Sequence, residues 1–273
     1  YFQVPKRSGG MRTLAAPQPE LAKAQSWILT HVLGKLATEA PAHGFIRGRS
    51  TVTCAAAHLG KDVVINLDVK DFFPTISYRR VRGVFQKLGY SPAVATVFAL
   101  LCTESPRVPV TFEGKRHWVA TGPRALPQGA CTSPALSNQV SKKLDRRLQG
   151  MSLKHGFSYT RYADDLTLSA PVGKRAEIGM MMARVRHILS EEGFSLNPDK
   201  GRVQRTGGRQ TVTGIVVNEK PGRARGASST PPRRPASPPR TARTCPTSRP
   251  ICAATSPIST WSTRRRRRRC SRP

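Results

Sequence analysis

"RYADDLTLSA", residues 161–170, sets two aspartates, Asp164 and Asp165, side by side between two strand-like runs. Successive side chains of a regular strand point to opposite faces. At the tip of a hairpin both carboxylates are presented near one point, and their repulsion is costly unless a cation is present. Alone the pair says little, because Asp suits turns and most such pairs are simply solvated. A second stretch, "INLDVKDFFPTI" (65–76), changes its weight: Asp68 closes a buried-strand run of Val63, Val64, Ile65 and Leu67. A carboxylate at the end of an apolar strand seldom serves stability, the plainer reading being a helix cap or an ion pair. Two strands of one sheet would bring Asp68 beside Asp164. Three hard carboxylate oxygens suit Mg²⁺. Two such ions about 3.5–4 Å apart would clamp the attacking and leaving oxygens of an in-line displacement.

Composition points the same way. The 273 residues hold 46 Lys and Arg against 15 acidic residues, a net charge of +31, which implies a polyanionic partner, nucleic acid first. Residues 219–273 carry +14 of this, so the first 218 are basic in their own right at +17. The six cysteines form no CxxC pair, and Cys54, Cys102 and Cys131 lie among apolar or small residues, as buried thiols do. A reducing setting, the bacterial cytoplasm, is expected. No apolar run approaches a membrane span and no signal peptide is visible. The chain starts at Tyr1, so its natural N-terminus is expected to be missing.

Patterning predicts an α+β chain. Residues 2–14 read as a hairpin turning at Ser8-Gly9-Gly10. Helices are predicted over 18–38, 77–88, 91–102, 133–149 and 174–192. Strands are predicted over 63–69, on both sides of the 161–170 turn, and over 211–218. From Glu219 onward there is no Leu, Val, Phe, Tyr or Met, ten prolines occur, and Arg264–Arg269 are consecutive. Such a segment cannot bury enough apolar surface to order itself. It reads as out-of-frame translation of a GC-rich gene in preference to a basic RNA-binding tail.

Taken together, "LDVKDFFPTI" (67–76), "LPQGACTSPALSN" (126–138) and "YADDLTLS" (162–169) resemble the three central motifs of reverse transcriptases, in order. "VPKRSGGMRTLAAP" (4–17) resembles the fingers motif, "GFSLNPDKGRV" (193–203) the motif after the palm hairpin, and "VTGIVV" (212–217) the approach to the thumb. Within the class the chain is similar to bacterial retron enzymes, which carry NAxxH before the first catalytic motif and VTG near the thumb. Here the first reads "CAAAH", with Cys54 in place of Asn and His58 retained, and the second is intact at Val212, Thr213 and Gly214.

The resemblance implies a right-hand polymerase: partial fingers with a retron-like RNA-contact region over 1–62, then over 63–218 a palm with a ferredoxin-like antiparallel sheet packed on helices, interleaved fingers elements and the start of the thumb, with the rest of the thumb missing or disordered and 219–273 a disordered basic tail. It implies Asp68, Asp164 and Asp165 as catalytic ligands of two Mg²⁺ (or Mn²⁺) ions, with the Val69 carbonyl assisting. Lys6, Arg12, Asp71, Phe72, Phe73 and Gln128 would meet the nucleotide. Phe73 would be the steric gate against a 2′-hydroxyl, although at least one of Phe72 and Phe73 must be core. His58, Tyr162, Lys200 and Gly214 would meet nucleic acid, with helix capping an equal reading for His58. A larger residue at Ala163 would crowd the primer end. Lys142, Lys143, Arg146 and Arg147 would line the nucleic-acid path or form a solvated face. The implied activity is RNA-directed DNA synthesis from dNTPs on a structured noncoding RNA, giving an RNA–DNA hybrid. A retron effector protein and a role in phage defence follow by analogy. The alternatives are a group II intron-type reverse transcriptase and an inactive basic RNA-binding fragment.

Overall fold

The computed structural model describes residues 1–5, 9–218 and 222–223. The chain opens with an antiparallel hairpin, β1 (Phe2–Pro5) and β2 (Met11–Leu14), followed by α1 (Pro19–His31) and the short α2 (Thr51–Ala56). Next come β3 (Val63–Asp68), the single turn α3 (Phe72–Thr75), and the helices α4 (Tyr78–Lys87) and α5 (Pro92–Cys102). A second hairpin, β4 (Arg107–Phe112) with β5 (Lys115–Ala120), precedes α6 (Ser133–Val140) and α7 (Lys142–Lys154). The tight hairpin β6 (Ser158–Tyr162) and β7 (Asp165–Ala170) leads to α8 (Ile178–Glu191) and β8 (Arg202–Arg205). The described part closes with β9 (Thr211–Val212), β10 (Ile215–Val216) and β11 (Gly222–Arg223).

The central sheet has the order β6-β7-β3-β8 and is antiparallel throughout. Strand period 2 sorts its faces. Ile65 pairs with Leu168 and Leu67 with Leu166, and these side chains join Val81, Phe85, Leu136, Leu144, Leu148, Val185 and Leu189 of the helices in the main core. On the opposite face Val64 packs with Cys54, Ala55, Val212 and Val217 in a smaller cluster. Being covered on both sides, β3 reads as a mostly apolar run broken only at Asn66, much as central strands do.

The α+β architecture expected from the sequence is present, with differences in detail. Residues 133–149 are two helices, broken at the buried Ser141. Residues 211–218 form a hairpin, because Thr213 and Gly214 both take positive φ (46° and 83°) at its turn. "DFFPTI" is a helical turn, so Phe72 and Phe73 do not alternate as they would in a strand. The fourth strand of the sheet is β8, in a stretch read only as a motif. The helix expected over 18–38 ends at His31, followed by a 3₁₀ turn at Leu33–Lys35. Cys54 and Cys102 are buried thiols as expected, but Cys131 is exposed on the loop before α6. No helix among the described residues is long and apolar enough to cross a membrane. The proposed tail and thumb region, 219–273, lies outside the described residues apart from the backbone of 222–223.

Candidate active site

The turn between β6 and β7 has only two residues, because Tyr162 pairs directly with Asp165. Ala163 takes a left-handed φ of 57°, as the first position of such a turn demands. It is buried against the backbone of Gly44, where an added Cβ would stand 2.5 Å from the Ala163 nitrogen. The backbone of Ala163 is thus packed closely on Gly44. On the neighbouring strand Asp68 is the register partner of Asp165. The Val69 N–H donates to the Asp164 carbonyl at 2.9 Å, so the residue after Asp68 is pinned to the turn that carries the other two carboxylates.

A third segment lies along the same strand end. The Asn197 N–H donates to the Asp68 carbonyl (2.8 Å) and the Lys70 N–H to the Ser195 carbonyl (2.8 Å). This lays 195–200 beside 68–70 and puts Lys200 Nζ 3.0 Å from Asp68 Oδ2. Burial raises the Asp164 carboxyl above the usual range; a backbone N–H opposes this and the charge of Asp68 adds to it. Burial, then the charges of Asp164 and Asp68, push Asp165 up to about 6. The bond to Asp68 raises Lys200. Arg12 is close enough for its charge to favour the ionised form of Asp164. Lys6 lies outside the described residues.

These groups form an electrostatically unsatisfied site. The charges of the three carboxylates act on one another, while Lys200 is bonded to Asp68 and Arg12 acts only from a distance, too little positive charge to offset the repulsion. Among the described residues, no three acidic, His or Cys side chains surround one point closely enough to be a ready-made metal site. The single cage expected from the sequence is thus built in the backbone but not closed by the side chains. The donor set is all carboxylate oxygen, which fits Mg²⁺ or Mn²⁺.

Around this centre Asp71 is exposed and left-handed (φ 45°), turning the chain into α3. Phe72 is buried at 3% and packs on Phe194, while Phe73 is only half-buried. Phe72 is therefore the core member of the pair. The Gln128 carbonyl accepts from the Ala15 N–H at 2.7 Å, tying the Pro-Gln-Gly turn to the exit of the β1–β2 hairpin. Gly129 there has φ +123°, and an added Cβ would stand 2.8 Å from the Ala15 oxygen. Gly129→Ala should therefore lower stability by about 1–2 kcal/mol and raise the KM for nucleotide by loosening the hairpin that carries Arg12; denaturant unfolding and initial-rate measurements check both.

Tyr162 is half-buried beside Asp165, and Gly214 lies exposed at the β9–β10 turn. His58 is neither an RNA contact nor a helix cap. It is fully buried behind the sheet, its ring nitrogens bonded to Thr160 Oγ1 (2.7 Å) and Ser169 Oγ (2.6 Å), and burial lowers it to about 4. Of the four cations on α7, Lys143 and Arg147 pair with Glu192 and Arg146 with Glu39, but the Lys143 and Arg146 side chains stay 69% and 66% exposed, so the face is solvated and open.

Sequence reading missed a group beneath the turn. Arg161 is wholly buried; Nε and Nη2 donate to the two Asp145 oxygens at 2.8 and 2.7 Å, and Nη1 to the Ala163 carbonyl at 3.1 Å. Arg161 Nη2 also reaches Asn138 Oδ1 (3.0 Å), whose Nδ2 donates to the Gly44 carbonyl (3.0 Å), and Tyr159 donates to Asp145. An arginine at an inward strand position and an aspartate on the buried face of α7 were the available signals, each requiring the other.

Residues 4–221 match the family described as reverse transcriptase (RNA-dependent DNA polymerase). The chain is 48% identical over 225 residues to the retron Mx162 reverse transcriptase of Myxococcus xanthus, covering 80% of this chain and 46% of that protein. It is 49% identical to the Mx65 enzyme of the same organism (82% and 52%) and 35% identical to the Ec86 enzyme of Escherichia coli (77% and 59%). The chain thus spans about half the length of the curated relatives it matches. Its fold is also that of telomerase from Candida albicans, with TM-score 0.59 at 12% identity over 84% of this chain and 45% of that one. The family match extends over nearly all the described residues: the chain belongs to the reverse transcriptase family.

Proposed function

We propose that this chain carries the catalytic part of a retron-type, RNA-directed DNA polymerase. The observation that carries the reading is the convergence of Asp68, Asp164 and Asp165 at the ends of two paired strands, with Lys200 held against Asp68. Asp68, Asp164 and Asp165 would hold two divalent ions, Mg²⁺ or Mn²⁺, with the Val69 carbonyl beside them. Bound there, such ions would supply a lowered pKa at a primer hydroxyl and neutralise charge on departing pyrophosphate.

The chain's own residues do the rest. Arg12, with Lys6, offers cations to a triphosphate from the β1–β2 hairpin. Gln128 and the turn at Gly129 form the floor against which the incoming nucleotide rests, with Asp71 at its edge and the buried Phe72 backing Phe73. The half-exposed ring of Phe73 would crowd a 2′-hydroxyl and favour deoxynucleotides. Lys200 exchanges Asp68 for phosphate when the site fills, while Tyr162 and Gly214 border the primer strand. Similarity to retron enzymes supports a structured noncoding RNA as template and primer, an RNA–DNA product, and service in a phage-defence unit with an effector protein.

The test is primer extension by the full chain on a structured RNA with labelled dNTPs and Mg²⁺. DNA product that disappears on chelation supports the reading. RNA binding without any incorporation, in Mg²⁺ or Mn²⁺, overturns it in favour of an inactive RNA-binding fragment.

A further inference from the structure

Phe45 has an unusual combination of properties. It is 52% exposed, and its φ is +62°, a left-handed conformation that costs a residue with a Cβ about 1–2 kcal/mol. Glycine would relieve that strain, so the backbone alone gives no reason for a phenylalanine. Strained backbone that the surroundings hold in place is a mark of functional positions.

The surroundings do hold it. The His43 N–H donates to the Arg161 carbonyl (2.8 Å), Gly44 is wedged against Ala163, and its carbonyl is held by Asn138. The segment before Phe45 is thus fastened to the turn that carries Asp164 and Asp165. From this anchor the Phe45 ring lies 6.4 Å from Phe73 and 6.5 Å from Tyr162, tilted 54° and 40°. Phe73 has the core as its other neighbour, through Phe72 at 5.6 Å edge-on, itself packed on Phe194. Phe45 therefore closes the solvent side of a ring whose inner side is already fixed.

A half-exposed ring on a one-turn helix could rotate away from a single added oxygen, and a steric barrier that rotates discriminates poorly. We infer that Phe45 is a positioning residue for sugar selection: it braces Phe73 from the Gly44 anchor, so that ribonucleotides are refused. Aromatic pairs at these separations are favourable beyond the area they bury. The inference rests on the polymerase reading above, and on Phe73 facing the sugar of the nucleotide.

The experiment measures initial rates of dNTP and rNTP incorporation on an RNA template by the full chain, wild type against Phe45→Ala, Phe45→Leu and Phe45→Tyr. The expected result is a fall of about tenfold in dNTP-over-rNTP preference for the alanine variant. It arises mainly from a lower KM for rNTP, with kcat for dNTP nearly unchanged, while Phe45→Tyr keeps the wild-type preference. Phe45→Leu, which keeps apolar bulk without the ring's reach, should fall between and serves if the alanine variant does not fold. A purely structural role would lower both nucleotides' rates together. Unchanged preference in the folded variants overturns the role of Phe45 and leaves the polymerase reading standing. Failure of the wild type to incorporate either nucleotide overturns that reading, and this inference with it.

Discussion

Asp165→Asn should cut DNA synthesis by about a thousandfold or more and at the same time make the metal-free protein harder to unfold. The two effects have one cause. At neutral pH Asp165 is ionised, exposed as a residue but with its carboxyl partly desolvated, beside Asp164 and across the strand pair from Asp68. That charge is what a cation would use, and without a cation it is a liability. The sign follows from the protons. The folded-state value is about 6 against 3.8 for the free side chain. Between those pH values the folded chain keeps a proton that the unfolded chain releases. The metal-free protein therefore loses this stability as pH rises through 6, and asparagine removes the loss. Solvent reaches this carboxyl, so the gain is about 1 kcal/mol, or roughly 2–4 °C in Tm for a chain of this size. His58 works in the opposite direction: lowered to about 4, it costs stability as pH falls from 6.5 toward 4. The prediction is therefore a difference between variant and wild type, by thermal melting at pH 5 and pH 7.5 in a chelator. The variant's advantage should appear at 7.5 and shrink at 5. Asp164→Asn should lose synthesis equally. A variant that synthesises DNA at the wild-type rate would remove both residues from the chemistry.

That these aspartates were legible in the sequence, when much around them was not, has a physical basis. Asp68 stands out because β3 is covered on both faces, so its run is apolar but for Asn66 until a carboxylate ends it. The turn at 163–164 stands out because strand patterns flank it closely on both sides. The β4–β5 hairpin gives no such signal: both strands are exposed along their whole length, so no alternation marks them, and Pro109 lies within one. The 211–218 hairpin was hidden because Thr213 is a β-branched residue placed, against its preference, at a turn with positive φ. His58 looked available to RNA because a histidine among alanines carries no sign of burial; only the fold sets Thr160 and Ser169 on either side of it. Phe45 and Arg161 act mostly through side chains 16 to more than 100 residues away, and a single sequence holds no record of such pairs.

Arg161→Met should destabilise the fold by about 3–5 kcal/mol, a large fraction of the stability of a domain. The side chain is wholly buried, and its loss strands the Asp145 carboxylate, 1% exposed, with Tyr159 as its remaining side-chain donor. A buried ion pair is weak evidence of net stabilisation, since exchanging both partners for apolar residues of similar volume is often neutral. The informative variant is therefore the double one, Arg161→Met with Asp145→Leu. It should recover most of the stability, read as the denaturant midpoint, because no uncompensated charge remains. It should not recover DNA synthesis. The Ala163 carbonyl still lacks its donor, Asn138 still lacks the guanidinium that orients it toward Gly44, and the two-residue turn is free to relax from its left-handed conformation. A displacement of about 1 Å in catalytic groups can cost about a hundredfold in rate, and here both turn carboxylates would move together. Full activity in the stable double variant would mean that the pair serves only to fill the core. Stability regained without activity would mean that this buried charge is kept because it aims Asp164 and Asp165.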